Sequence, residues 1–197
     1  MIFKKPLVVF TILTAIALFV TFTLVTFRNE IQRYKLPELG RVGHFSLTEK
    51  NGEAFDSQTL DGRVWVVDFF FTTCSDVCPM MMKRMADLSR TFELVKGVHF
   101  VSITVNPEND TPEMLNQYSS KLQTNNKNWH FLTGSRGDIT AVMRDQFKLG
   151  DKEEPVFHST FFALVDRNGY IRGYYDGMDK QKVEKLFKDI TILLKER

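Results

Sequence analysis

Two residues in this sequence have the type and spacing to do chemistry: Cys74 and Cys78, the only cysteines among 197 residues. A bridge between them would close a loop of only five residues and restrict the unfolded chain little, so the pair is a poor structural staple. Adjacent thiols instead point to redox or metal chemistry. Two thiolates suit Cu(I), or Zn(II) with further ligands. A third ligand would come from His44, His99, His130 or His158. Thioethers also bind Cu(I), and Met80, Met81, Met82 and Met85 follow the thiols closely. Met81, Met85, Leu88 and Phe92 recur at helical spacing on one face, however, which is the pattern of a core stripe, and Met80 stands nearest the thiols.

The elements around the cysteines can be read from pattern and punctuation. Val64 to Phe71 (VWVVDFFF) is a nearly continuous apolar run, as a strand buried on both faces requires. The cysteines follow at once, and Pro79 fits the first turn of a helix running to Val95, with Gly97 as its stop. Val98 to Val105 is a second buried strand, and Thr111-Pro112-Glu113 caps a helix reaching about Gln123. Trp129 to Leu132 reads as a strand and Ser135 opens a helix to about Phe147. A polar loop (Gly150 to Pro155), a strand from about Ser159 to Val165, a turn at Asp166 to Gly169, a strand Tyr170 to Tyr174 and a helix from Asp179 to Lys195 complete the chain. Upstream, Asn51-Gly52 between short apolar stretches signals a hairpin. Helices between the middle strands imply parallel pairing and the closing hairpin antiparallel pairing, hence an α/β fold with a mixed central sheet.

The thiols therefore sit at the C-terminal end of a buried parallel strand where a helix begins, the place where α/β folds put their sites. The helix N-terminus supplies partial positive charge and free N–H groups, so both cysteines are expected to be acidic and reactive, with Asp76 between them opposing the thiolate. Thioredoxin-like enzymes carry Cys-x-x-Cys at such a turn. Cys74-Ser75-Asp76-Val77-Cys78 is one residue longer, able to close a disulfide and also to splay two sulfurs around one soft ion. In a thioredoxin-type fold the loop entering the strand after Pro155 faces the cysteine turn. His158 opens that strand, whereas His99, His130 and His44 occupy less favourable positions. Cys74, Cys78 and His158 then make a set of two sulfurs and one nitrogen, suited to a trigonal Cu(I) site that also accepts Cu(II).

Four segments resemble the Sco/SenC family of membrane-anchored copper proteins: Phe71-Thr72-Thr73-Cys74-Ser75-Asp76-Val77-Cys78-Pro79, Val105-Asn106-Pro107-Glu108-Asn109-Asp110-Thr111-Pro112, Leu132-Thr133-Gly134-Ser135, and His158-Ser159-Thr160 followed by a strand and an Asp-x-x-Gly turn. The resemblance covers roughly residues 40–195. It implies a thioredoxin-like fold, an N-terminal anchor, and copper held by Cys74, Cys78 and His158. It also implies copper delivery to the CuA centre of a cytochrome c oxidase subunit, or reduction of that centre's cysteines, with another copper chaperone or a thiol-disulfide oxidoreductase as further partner. A thiol:disulfide oxidoreductase needing only Cys74 and Cys78 as catalytic residues is the alternative. Two positions depart from the family pattern: Asn106 replaces the usual Asp, and Phe157 stands where an Asp often precedes the histidine, which bears on how His158 is oriented.

Pro6 to Phe27 carries no charge over 22 residues, sixteen of them apolar. At 1.5 Å per residue that is about 33 Å, against a hydrocarbon core of about 30 Å. Ala15-Ile16-Ala17 resembles a signal-peptide cleavage site, yet cleavage there would leave ten mostly apolar residues, so the sequence favours an uncleaved transmembrane anchor. No cysteine at the end of this run offers an acylation site. The expected division is a cytoplasmic N-terminus at 1–5, an anchor at 6–27, a stalk at 28–43 and a copper-binding domain at 44–197 on the periplasmic side of the inner membrane. The net charge of +2 is Lys4 and Lys5; from Arg28 onward 24 basic residues balance 24 acidic ones. A neutral domain is unlike a nucleic-acid binder, which concentrates Lys and Arg against phosphates.

Overall fold

Apolar runs that alternate with capped, amphipathic helices build a single sheet covered by helices. The computed structural model describes residues 5–33, 35–124, 127–149 and 160–196. The chain divides into two units, Met1–Leu36 and Pro37–Arg197.

In the first unit, α1 spans Lys5–Arg33. Phe10, Ile12, Leu13, Ile16, Leu18, Phe19, Phe22 and Leu24 are all exposed. The hydroxyls of Thr21 and Thr23 donate back to the carbonyls of Ala17 (2.9 Å) and Phe19 (3.0 Å) of their own helix. Among the described residues no helix is long and apolar enough to cross a membrane.

In the second unit an eight-stranded sheet runs in the order β1-β8-β7-β4-β5-β6-β2-β3. Its strands are β1 (Gly40–Arg41), β2 (Ser46–Glu49), β3 (Ala54–Asp56), β4 (Val64–Phe70), β5 (Val98–Thr104), β6 (Trp129–Thr133), β7 (Phe161–Val165) and β8 (Tyr170–Asp176). β4 pairs in parallel with β5, from Val64↔Val98 to Phe70↔Thr104, and β5 with β6; β7 joins β4 antiparallel. Every residue of β4 is buried, which accounts for its unbroken apolar reading. The mixed α/β architecture expected from the element order is the one observed.

The helices are α2 (Cys78–Thr91), α3 (Pro112–Ser120), α4 (Arg136–Ala141) and α5 (Lys180–Lys195). The expected core stripe, Met81, Met85, Leu88 and Phe92, is buried, and Met82 is buried beside it, each contributing about 1.5–3 kcal/mol. α2 ends before Val95: the Phe92 N–H still reaches the Leu88 carbonyl (3.1 Å), but the Glu93 and Val95 N–H groups bond to Arg90 and Phe92 three residues back, a turn in place of helix. α3 starts where Thr111 accepts the N–H of Met114, and it stops short of Gln123. There the Ser119 and Ser120 hydroxyls take the Asn116 and Gln117 carbonyls and compete with continued helical bonding. The helix opened by Ser135 widens into a π turn over Val142–Gln146, and both Val142 and Met143 are buried. Within the expected stalk, α1 continues to Arg33, while Gly40–Arg41 pairs with Ile171 and Tyr170 and the Arg172 guanidinium donates to the Pro37 carbonyl (2.9 Å). The second unit begins at Pro37, ahead of β1.

Candidate metal centre

β4 ends at Phe70 and the chain turns through residues 71–77 into α2, leaving Cys74 in the turn and Cys78 as the first helical residue. The Cys74 N–H donates to the Phe71 carbonyl (3.2 Å) and the Met81 N–H to that of Val77 (3.1 Å), so the turn folds back and then starts the helix. Asp110, fully buried, holds this turn to the end of β5. It accepts the Thr72 N–H (3.0 Å) and hydroxyl (2.5 Å) and the Thr104 hydroxyl (2.5 Å). Thr104 Oγ1 accepts the Asn106 N–H (3.0 Å), and the Asp110 N–H donates to the Asn106 carbonyl (3.0 Å). Asn106 takes part here through its backbone, so its difference from the family's Asp leaves this clamp intact.

The two thiols differ. Cys74 is half-buried; burial would raise its pKa, but the hydrogen bond from the Cys78 thiol and those from the N–H groups of Cys78, Asp76 and Val77 outweigh it and hold it below an ordinary thiol. Cys78 is buried, and burial, the hydrogen bond to Cys74, and the charges of Cys74 and Asp68 push it up to about 12 against a backbone hydrogen bond at Phe71. The expectation that both cysteines are acidic is therefore corrected: the helix N-terminus serves Cys74, while Cys78 lies under it in the interior. Asp76 contributes a favourable N–H to Cys74. The pair is built to hold a single negative charge on the outer sulfur and a proton on the inner one.

Two further acidic groups stand behind the thiols. Asp68 is the one charged residue in the VWVVDFFF strand and is wholly buried. Its Oδ1 accepts the Ser102 hydroxyl (2.5 Å), Ser102 in turn accepts the Trp129 indole N–H (3.0 Å), and Oδ2 has no hydrogen-bond partner among the described residues. Burial raises Asp68 to about 7 despite the Ser102 bond. Tyr118, its ring 5.4 Å from that of Phe70, is raised by burial first and then by Cys78, Asp68, Cys74 and Asp110. The sequence reading did not single out Asp68 or the clamping role of Asp110. A lone acid inside a run otherwise apolar enough for a central strand was the available signal for Asp68.

The remaining candidates separate cleanly. Met80 is exposed beside the turn, whereas Met81, Met82 and Met85 are core. His44 is exposed, and His99 and His130 bond to each other on the sheet. His158 and Phe157 lie outside the described residues. Among the described residues no three His, Cys, Asp or Glu side chains gather around one point, so Cys74 and Cys78 are the two donors the structure brings together here.

Comparison with known proteins gives a consistent result. The SCO1/SenC family model matches residues 37–195, beginning where the second unit begins. The SCO1 protein homolog of Bacillus subtilis (strain 168) is 31% identical over 165 residues, covering 81% of this chain and 86% of that protein. The crystal structure of a SCO1/SenC family lipoprotein from Bacillus anthracis str. Ames superposes with TM-score 0.72 at 38% identity, covering 79% of this chain and 96% of the other. BsSco, described as a member of the Sco family of cytochrome c oxidase assembly proteins with a disulfide switch, gives TM-score 0.72 at 29% identity over 83% and 99%. Bradyrhizobium japonicum ScoI, solved with copper bound, gives 0.63 at 25% over 78% and 99%. The matched region thus includes the whole cysteine turn and the Asp110 clamp, and the chain belongs to the SCO1/SenC family.

Proposed function

We propose that this protein is a copper metallochaperone that carries one tightly held copper ion on Cys74, Cys78 and His158 and assists assembly of the CuA site of a cytochrome c oxidase. The observation that carries this reading is the paired sulfurs at one loop-helix junction, one biased to thiolate and hydrogen-bonded to the other. A soft monovalent ion meets Cys74 first and takes the place of the Cys78 proton, after which both sulfurs are bound. A relative of 25% identity carries copper, and another is described as an oxidase assembly protein, which supports the same cargo and client here. His158 supplies the nitrogen that would let the site hold Cu(II) as well.

In this reading the uncharged run 6–27 attaches the chain to the membrane and the domain works outside the cytoplasmic membrane. The uncharged run 6–27, the exposed apolar side chains of α1 and the Thr21 and Thr23 hydroxyls bonded back to their own helix support it. Unlike a lipoprotein relative, the run offers no cysteine for acylation.

The outer thiolate and inner thiol also favour a second reading, thiol:disulfide exchange. The Cys74 thiolate attacks a partner disulfide and forms a mixed disulfide while one partner sulfur leaves and takes up a proton. Cys78 then loses its proton and attacks Cys74 Sγ, giving the Cys74–Cys78 disulfide and the second partner thiol. The partner is reduced by the two electrons the pair gives up.

Titration of the reduced full-length chain with Cu(I) against a competing chelator separates the readings. The chaperone reading expects one tightly held ion, weakened in His158→Ala for both Cu(I) and Cu(II) and lost in Cys78→Ser. No stoichiometric Cu(I) uptake, or retention indifferent to His158→Ala, would leave only thiol exchange, which needs no imidazole.

A further inference from the structure

The opposite end of the same strands carries three donors that the cysteine centre does not use. His99 lies across from Trp65 in the β4–β5 register, whereas Phe70, next to the cysteine turn, lies across from Thr104. Five residues of strand, about 17 Å, separate the two levels. On β6, His130 Nδ1 is 2.8 Å from Glu49 Oε2, and Glu49 Oε1 accepts the Phe131 N–H (3.0 Å). His130 Nε2 is 3.3 Å from His99 Nδ1, with the ring planes 3° from parallel and the centroids 5.6 Å apart. The centroid separation exceeds the nitrogen separation by about one ring width, so the imidazoles meet nitrogen to nitrogen. The Phe55 ring lies 4.9 Å from that of His130, and a groove lined by Glu49, Glu53, Asp56, Lys127 and Trp129 opens beside the pair.

With the His130 Nδ1–H donating to the Glu49 carboxylate, Nε2 presents a lone pair to His99. A carboxylate on the far nitrogen is how metal-binding imidazoles are held in orientation. Burial, reinforced by His130 and Arg63, lowers His99 to about 4, so it is a neutral ring at physiological pH. No third side chain among the described residues converges on the pair, as a divalent ion would want. Two opposed imidazole nitrogens instead match the linear two-coordinate preference of a monovalent d10 ion.

We propose that His99 and His130, oriented by Glu49, form a second metal site that takes one Cu(I) ion between His99 Nδ1 and His130 Nε2. On binding, His99 moves its proton from Nδ1 to Nε2, so both facing nitrogens offer lone pairs and no proton is released overall. The nitrogens widen from 3.3 Å to about 4 Å, twice a metal–nitrogen bond of about 2.0 Å. No electron is transferred. The site is weaker than the cysteine centre, because it lacks thiolate charge.

The test uses the full-length Cys74→Ser, Cys78→Ser chain, which removes the cysteine centre and so separates this proposal from the chaperone reading. Anaerobic Cu(I) titration should leave one ion per chain with two nitrogen neighbours in X-ray absorption. His99→Gln or His130→Gln should abolish it, and Glu49→Gln should weaken it about 10–100-fold. No Cu(I) uptake by the cysteine-free chain, or uptake unchanged in both histidine variants, overturns the site. If the cysteine-free chain fails to fold, the wild type is followed by histidine ring nitrogen NMR through a second equivalent of Cu(I). Shifts at His99 and His130 then support the site, and unmoved signals overturn it.

Discussion

The two ends of the β4–β5 pair treat charge in opposite ways. At the C-terminal end, N–H groups of the turn and of the first residues of α2 converge on Cys74 and favour the anion. At the N-terminal end, burial and an opposed imidazole keep His99 neutral, and the Glu49 carboxylate bonds the far side of His130. The difference follows from strand direction. Parallel strands deliver the chain into helix N-termini only at their C-terminal ends, so one end of the sheet offers a pole for a thiolate and the other does not. Sulfur chemistry and imidazole chemistry are thereby sorted along one strand pair.

The largest contrast expected is kinetic and lies within the sulfur end itself. With Cys78 near 12, about one in ten thousand of its thiols is ionised at pH 8, and the residue is buried as well. Iodoacetamide followed by mass spectrometry should therefore label Cys74 essentially alone; equal labelling would erase the asymmetry. Next, Asp110→Ala leaves three buried or half-buried donors without their acceptor, at about 1–3 kcal/mol each, so urea unfolding should show a loss of about 5 kcal/mol. A loss below 1 kcal/mol would mean the turn holds itself.

Asp68 gives a pH signature. In the native protein it keeps its proton to about 7, whereas unfolded it ionises near 4, so between those values the folded chain binds more protons and its stability falls as pH rises. Three pKa units correspond to about 4 kcal/mol, fully expressed above pH 7. Asp68→Asn should remove this slope in denaturation curves taken from pH 4 to pH 8; an unchanged slope assigns it elsewhere. The smallest effect is expected of Thr72→Val, which deletes one of the clamp's two bonds from the turn. It should cost about 1–2 kcal/mol and broaden the ratio of Cys74 labelling rates between free and copper-loaded protein.

The strand, the thiols and the helix after them were legible in the sequence because each is a local pattern: an apolar run, a close cysteine pair, a proline at a helix start. The inequality of the thiols was not, since Cys78 is raised by burial and by Asp68, ten residues away in the chain. The Asp110 clamp spans 38 residues to Thr72, and the His99–His130 bond spans 31, both fixed by sheet register rather than by any local motif. Helix ends differ from the sequence pattern where serines divert carbonyls and where a π turn replaces an α turn. His158 lies outside the described residues, so its part in the centre rests on its place in the sequence and on the family motif.

The most direct test of the copper centre is X-ray absorption on the reduced wild-type chain loaded with one equivalent of Cu(I). The account predicts two sulfur neighbours and one nitrogen, the nitrogen disappearing in His158→Ala. A spectrum with nitrogen neighbours alone, or one unaltered by His158→Ala, would contradict it.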